Sequence, residues 1–144
     1  MESTKNLSMD GNAWIYGDAC AVGNSSVSDD AILMGNVLVE DNVVIRGNAQ
    51  VKDNVIIGGN ASVSDYCCIS NGAHLFDNVK VSDYAVVTDH TVLLENTEVC
   101  GHAYVAGNVQ CSGATSIGGH AFIHGMRSWV VILMSLMEQK FLIM

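Results

Sequence analysis

Histidine is the residue type in this chain best suited to acid–base or metal chemistry, because a neutral imidazole can accept a proton or bind a metal ion. The five histidines are His74, His90, His102, His120 and His124. The last three, near the end of the repeat described below, are the candidates for a catalytic site. No Ser-His-Asp group can be assigned, because spacing alone brings no such trio to one point.

Cysteine is the second residue type that could do chemistry. The number of cysteines is odd, and their spacing suggests neither a zinc site nor a disulfide framework. We therefore expect a reduced, cytoplasmic setting and no metal site. The cysteines are Cys20, Cys67, Cys68, Cys100 and Cys111.

Charge excludes some partners. The 144 residues carry a formal net charge of −9 with only six Lys and Arg residues. Such an acidic chain repels phosphate groups, so we expect neither nucleic acid nor a membrane as a partner.

The first ten residues contain no apolar signal-peptide core. The longest apolar run, Trp129–Met134, is far shorter than the roughly 20 residues that span a bilayer. A soluble cytoplasmic protein is expected.

A six-residue repeat positions all of these residues. It runs from Gly11 to His124 in nineteen units without a break. The fifth position, or slot, of every unit is apolar, and the third is small or β-branched. These two slots share one face of a strand and are expected to point inward, with slots four and six outward. Slots one and two are mostly Gly, Asp and Asn, which tolerate turns with positive φ.

Short strands joined by regular two-residue corners predict an all-β fold. Three units close a triangular coil of eighteen residues, so nineteen units give about six coils. The coils are expected to stack through parallel ladders about 4.8 Å apart, as a rod roughly 30 Å long. Cys67 and Cys111 fall in inward slots and are expected to act as small core residues.

Units such as GNAWIY and GDACAV resemble the hexapeptide repeat of left-handed β-helix proteins, over about four-fifths of the chain. The repeat, which contains no loop insertions, looks most like that of the bacterial YdcK-like β-solenoid family, whose members are labelled as acetyltransferases. The resemblance implies a left-handed single-stranded β-helix. For the acyltransferases of this type it also implies trimers, acetyl-CoA held between subunits, and a histidine base. This chain departs from them, because it has no insertion in the nineteen units and no segment resembling IGAGSVVTKD.

The segment from Gly119 to Gly125 resembles the GHxAxLHG segment of γ-class carbonic anhydrase-like proteins, which carries two zinc ligands. His124 falls in the matching slot. His120 does not, because the segment is one residue short, and the third ligand of that family has no counterpart here. A metal site of this kind is therefore a minor alternative.

Residues eighteen positions apart are expected to lie above one another. The second slots of one corner run from Asn24 to Asn96, either as a hydrogen-bonded ladder or simply as good corner residues. Stacked corner acids are either solvated carboxylates or a cation site, and the pairs are Asp65 with Asp83 and Asp77 with Glu95. Another corner reads Asn12, Asp30, Asn48, Tyr66, Tyr84, His102 and His120. Its aromatic end could bind a flat ligand, contact a subunit, or be a self-stacked surface.

Outward apolar residues also fall above one another. Leu38 and Ile56 do so on one side of the rod, and Val86, Tyr104 and Phe122 on another. Contiguous exposed apolar surface usually marks an interface, so we predict self-association or a protein partner. The candidate contact residues are Tyr66, Tyr84, Tyr104, Phe122, Leu38, Ile56 and Trp129.

The repeat divides the chain into three parts. Residues 1–10 are a polar N-terminal lead, 11–124 form the β-helix, and 125–144 are an apolar C-terminal tail. An open solenoid end exposes unpaired backbone and core. We therefore expect the tail to be a capping segment, as a helix over the last coil, or else a contact between chains. A third alternative is an altered end of the reading frame or protein.

Two functions follow from these patterns. The first is a non-catalytic scaffold or interaction module without a cofactor. The alternative is an acyltransferase that uses acetyl-CoA at a site between subunits, near His102, His120 and His124. Fold resemblance alone does not decide between them.

Overall fold

The computed structural model describes residues 6–7, 11–132, 136–137 and 140–143, with side chains described as far as residue 125. Within this part of the chain there are twenty β-strands and no α-helix. All paired strands are parallel, and through residue 125 each pairs with residues eighteen positions away. The chain is a parallel β-solenoid of about six turns, as the repeat predicts. Its handedness, which only the family resemblance implies, stays a prediction.

Three flat faces surround the core. The first face contains β1 (Trp14–Tyr16), β4 (Ile32–Met34), β7 (Gln50–Lys52), β10 (Cys68–Ser70), β13 (Val86–Val87), the start of β16 (Tyr104–Cys111), the start of β18 (Phe122–Ile132), and β20 (Lys140–Ile143). The second contains β2 (Cys20–Ala21), β5 (Leu38–Val39), β8 (Ile56–Ile57), β11 (His74–Leu75), β14 (Val92–Leu93) and the ends of β16 and β18. The third contains β3 (Ser26–Val27), β6 (Val44–Ile45), β9 (Ser62–Val63), β12 (Lys80–Val81), β15 (Glu98–Val99), β17 (Ser116–Gly118) and β19 (Leu136–Met137).

The core lies inside the tube, where the third and fifth slots meet. From Ala19 to Ile123 every residue in these slots is buried. Large aliphatic side chains such as Ile45 and Ile69 have no exposed surface. Ala13 and Ile15, in the first coil, are only partly buried because they lie at the end of the tube. The inward assignment of both slots is therefore confirmed.

The corners depend on left-handed backbone. Every first-slot residue from Gly17 to Gly119 has positive φ, including Asp41 at 60°. At Gly59, with φ of 71°, an added Cβ would lie 2.6 Å from the amide nitrogen of Asp77 in the next coil. Glycine is needed there both for its φ and for the close approach of the two coils.

The asparagines of the third corner form the predicted ladder. Each side-chain amide donates a hydrogen bond to the Oδ1 of the asparagine one coil further along. The N···O distances from Asn24 to Asn96 are 3.2–3.3 Å. These asparagines therefore have a structural role, which is what both interpretations of the sequence, ladder and corner residue, predicted.

The described tail is a strand where the sequence suggested a helix. Gly107 pairs with Gly125, eighteen positions away, but Val109 pairs with Val130, which is 130 − 109 = 21 positions away. The coil thus contains three additional residues and then returns to the ladder. The helical form of the cap is wrong for residues 125–132, 136–137 and 140–143, because a further strand pairs with the open edge of the last coil. The tail as a contact between chains stays a prediction.

The N-terminal lead has a structural role that its polar sequence does not suggest. The buried Asn6 side chain donates hydrogen bonds to the carbonyl oxygens of Ser25 at 2.9 Å and Gly23 at 3.2 Å. Leu7 forms a parallel bridge with Val27 and packs on the core. Together Asn6 and Leu7 cover the start of the third face.

Candidate functional site

The aromatic column of the first corner exists as a continuous stack of four rings. Ring centroids are 5.2 Å apart for Tyr66–Tyr84, 4.9 Å for Tyr84–His102 and 5.1 Å for His102–His120. Adjacent ring planes differ by at most 7°. All four side chains are exposed, Tyr66 at 58% and Tyr84 at 54%. The column forms because second slots repeat every eighteen residues on a rigid ladder.

This stacking limits what the column can bind. Tyr84 and His102 each have both ring faces covered by their neighbours, so a flat ligand has no free face to stack on there. Both side chains are exposed, so a partner can reach the edges of these rings but not their faces. The column is therefore better suited to contact a protein surface edge-on than to bind a planar ligand.

A second apolar column runs beside the first one. Val86, Tyr104 and Phe122 pair in register on adjacent strands. The rings of Tyr104 and Phe122 stack at 5.3 Å and are 36% and 37% exposed. The columns are neighbours because slots two and four lie two residues apart on the same side of the chain. We call both columns together the aromatic surface, which consists of Tyr66, Tyr84, His102, His120, Val86, Tyr104 and Phe122.

The third candidate histidine lies apart from the other two. His124 occupies the sixth slot, at the opposite end of the unit from His120, and its ring is 6.4 Å from that of Phe122. It is half-buried, and its Nδ1 is buried without a hydrogen-bond partner. The structure thus brings His102 and His120 together and does not add His124 to them.

The second face carries the other predicted contact residues. Leu38 and Ile56 pair in register and are half-buried. With Asn36, Asn54 and Val55 they line a shallow open groove of about 300 Å³. The Trp129 side chain lies outside the described residues, so its predicted contact stays a prediction.

Charge is distributed unevenly around the rod. Between residues 11 and 125 the acidic residues occupy corner slots, except Glu40 and Glu98. Among the outward slots of the first face, from Trp14 to His124, only Lys52 is formally charged. The aromatic surface therefore consists of side chains without formal charge, with the corner carboxylates Asp65 and Asp83 beside it.

The corner carboxylates have a role that the repeat pattern did not reveal. Asp41 accepts a hydrogen bond from the Gly59 amide at 2.9 Å, and Asp83 accepts one from Gly101 at 2.9 Å. The same kind of bond, from the backbone amide eighteen residues further along, is accepted by the carboxylates of Asp29, Asp65, Asp77 and Asp89. These bonds join consecutive coils at corners, so the stacked acids are more than solvated turn residues. The one sequence signal for these hydrogen bonds is the recurrence of Asp in the first slot.

Three of the five cysteine thiols, those of Cys67, Cys111 and Cys100, have a pKa raised mainly by burial. Burial raises the pKa of Cys67 to about 12, with smaller contributions from the nearby Cys68 and Asp65. Burial likewise raises the pKa of Cys111 to about 12. The pKa of Cys100 is raised by partial burial and then by the charges of Glu98 and Asp83. A high pKa keeps a thiol protonated and unreactive at neutral pH.

Among the described residues no three His, Cys, Asp or Glu side chains are grouped to hold a metal ion. In the same part of the chain no helix is long and apolar enough to cross a membrane.

No protein-family model, curated protein or solved structure matches this chain. The likeness to hexapeptide-repeat proteins therefore depends on the parallel β-solenoid and its eighteen-residue register. Membership of the YdcK-like family stays a prediction.

Proposed function

We propose that this chain is a non-catalytic cytoplasmic scaffold, a hexapeptide-repeat rod that associates side by side with a second copy through the aromatic surface. The observation that carries the proposal is the pair of stacked columns on a face whose one formally charged outward residue is Lys52. Contiguous apolar patches of this kind are rare on monomeric proteins unless they bind something. No cofactor is part of this function.

Stacking prepares the surface for binding. Ordering side chains at an interface costs free energy, and rings already held by their neighbours lose less freedom on association. Tyr84 and His102 are held on both sides, and Tyr104 is held against Phe122. Tyrosine is also an amphipathic residue that is enriched in the cores of interfaces.

Electrostatics sets the conditions for the contact. The corners beside the aromatic surface carry Asp65, Asp83 and Asp89, so two copies bring like charges near each other. Salt screens such repulsion over about 8–10 Å at physiological ionic strength. Self-association through this face is therefore expected to strengthen as salt is added.

The test is molar mass by size-exclusion chromatography with light scattering, over a range of protein and salt concentrations. We expect a dimer or larger oligomer whose dissociation constant rises at least about tenfold in Tyr104→Ser/Phe122→Ser. The matched control is Val44→Ser, which removes a 38% exposed apolar side chain from the third face. A monomer under all conditions would contradict self-association and leave a different protein as the partner. Equal weakening by the control would mean that the aromatic surface is not the contact.

Acyl transfer is the competing function, and the exposed edges of His102 and His120 are the observation in its favour. A histidine at an intersubunit surface could accept a proton from an acceptor group while acetyl-CoA lies between chains. Calorimetric titration with acetyl-CoA separates the two functions. The absence of heat at millimolar acetyl-CoA would remove the transferase, whereas binding that is lost in His102→Phe would favour it over the scaffold.

A further inference from the structure

We propose that His102 and His120 form a two-imidazole binding site for a divalent transition-metal ion, with water in the remaining coordination positions. The rings lie on consecutive coils, 5.1 Å apart and within 5° of parallel. Both side chains are exposed, so metal can reach their outer edges. This site shares His102 and His120 with the aromatic surface but does not require self-association. It differs from the carbonic anhydrase-like set, because it does not use His124.

The scaffold fixes the separation that chelation requires. His102 is joined to the coil of His120 by a backbone hydrogen bond from its amide to the Gly119 carbonyl oxygen at 2.7 Å. Neighbouring strands in a ladder are about 4.8 Å apart, so the two side chains start side by side. Metal–nitrogen bonds of about 2.0–2.1 Å require the ring nitrogens to converge, which a tilt of two exposed side chains provides. The ladder makes the second imidazole available without ordering a loop.

The surroundings select the kind of metal. The segment from Gly101 to Gly125 contains no Asp, Glu, Lys or Arg residue. Oxygen-rich sites suit Ca²⁺ and Mg²⁺, whereas imidazole suits zinc, copper and nickel. Below the pair, Tyr84 stacks on His102, and the Asp83 carboxylate at the same corner accepts a hydrogen bond from the Gly101 amide. The structure thus favours Ni²⁺, Cu²⁺ and Zn²⁺ over the hard cations, with Cu²⁺ bound most tightly of the three.

Calorimetric titration with Ni²⁺ tests this site, because Ni²⁺ does not oxidise the five thiols as Cu²⁺ can. One Ni²⁺ per chain is expected at pH 7.5, without binding of Mg²⁺. The informative variants are His102→Phe and His120→Phe, which keep a ring in the stack and remove the ring nitrogens. Each is expected to weaken Ni²⁺ binding at least about tenfold, because a chelate becomes a single ligand. Acidification to pH 5.5 should also weaken binding, since protons compete for imidazole.

Controls separate this site from other histidines and from the scaffold. His74→Asn and His90→Asn change exposed or half-exposed imidazoles on the second face and second corner, and each should leave Ni²⁺ affinity unchanged. Absence of binding, or an equal loss in His90→Asn, would overturn the proposal. So would full binding in His102→Phe. Tyr104→Ser/Phe122→Ser should bind Ni²⁺ normally even if it no longer associates, so failure of the scaffold leaves this test intact.

Discussion

The first and third faces are built on the same backbone and differ almost entirely in what they show to solvent. Both consist of short parallel strands with an eighteen-residue register and buried third and fifth slots. The first face presents stacked rings and, apart from Lys52, no charged outward residue. The outward slots of the third face are half serine, with Arg46, Lys80 and Glu98 among the rest. Val44 is its one exposed large apolar side chain among the described residues.

This difference separates what the fold requires from what a function has added. Any solenoid of this type needs inward aliphatics and corner residues with positive φ, and both faces have them. Nothing in the fold requires rings on one face and serines on another, because the ladder bonds of the outward slots are made by the backbone and not by the side chains. The aromatic surface is therefore the part of the molecule whose side chains the fold itself does not explain.

If the interior is equivalent behind both faces, matched core truncations should cost the same. Ile69 behind the first face and Ile45 behind the third are both fully buried in fifth slots. Ile69→Ala and Ile45→Ala are each expected to lower the free energy of unfolding by about 2–5 kcal/mol, through lost burial and a new cavity. Denaturant unfolding followed by circular dichroism measures both. A cost at Ile69 that exceeds the cost at Ile45 by several kcal/mol would show that the aromatic surface contributes to the core.

Inward cysteines lie behind two of the faces, Cys67 behind the first and Cys111 behind the second, and no inward cysteine lies behind the third. The folded pKa of Cys67 and Cys111 is raised from 9.0 to about 12, mainly by burial. The stability this provides is fully present below pH 9, where both states keep the proton, and is lost as pH rises from 9 towards 12. At pH 10.5 the loss is about 2 kcal/mol for each thiol.

The measurement for the thiols is the free energy of unfolding at pH 8 and pH 10.5 in the wild type and in Cys67→Ala/Cys111→Val. Alanine and valine are common in the third and fifth slots, so the double variant should fold. It should lose less stability at high pH than the wild type. Parallel pH profiles would mean that the thiols ionise as easily in the folded chain as in the unfolded one.

The periodic part of the molecule could be predicted from its sequence, and its ends could not. The slot pattern gave the all-β coil, the inward residues and the stacked columns from Tyr66 to His120, because a strict repeat leaves only one register. The pattern is silent where periodicity ends. An apolar run such as that after Gly125 fits a helix or a strand equally well, and only the open edge of the last coil decides for a strand. The cover that Asn6 and Leu7 form likewise depends on tertiary contacts.

Hydrogen bonds between coils were the other feature beyond the pattern. Aspartate in the first slot is explained by its tolerance of positive φ, so its recurrence is compatible with the bonds between coils but does not require them. The bond from the Gly59 amide to Asp41 becomes visible only when the coils are stacked. The planar stacking of His102 on His120 belongs to the same class, because period alone gives proximity and not ring orientation.

The smallest effect is expected when the two second-slot columns, the aromatic column and the asparagine ladder, are each interrupted by one substitution. The columns share a backbone position and differ in side-chain chemistry. Tyr84→Ala breaks two ring stacks, and such a ring pair contributes about 0.5–1.5 kcal/mol. Asn60→Ala breaks two ladder hydrogen bonds that are exposed to water, each worth about 0.5–1.5 kcal/mol at most. Both variants should therefore lower the free energy of unfolding by about 1 kcal/mol, and only Tyr84→Ala should also weaken self-association in light scattering. If Asn60→Ala weakens association equally, the contact is spread around the rod, and the distinction between an aromatic binding face and a structural remainder fails.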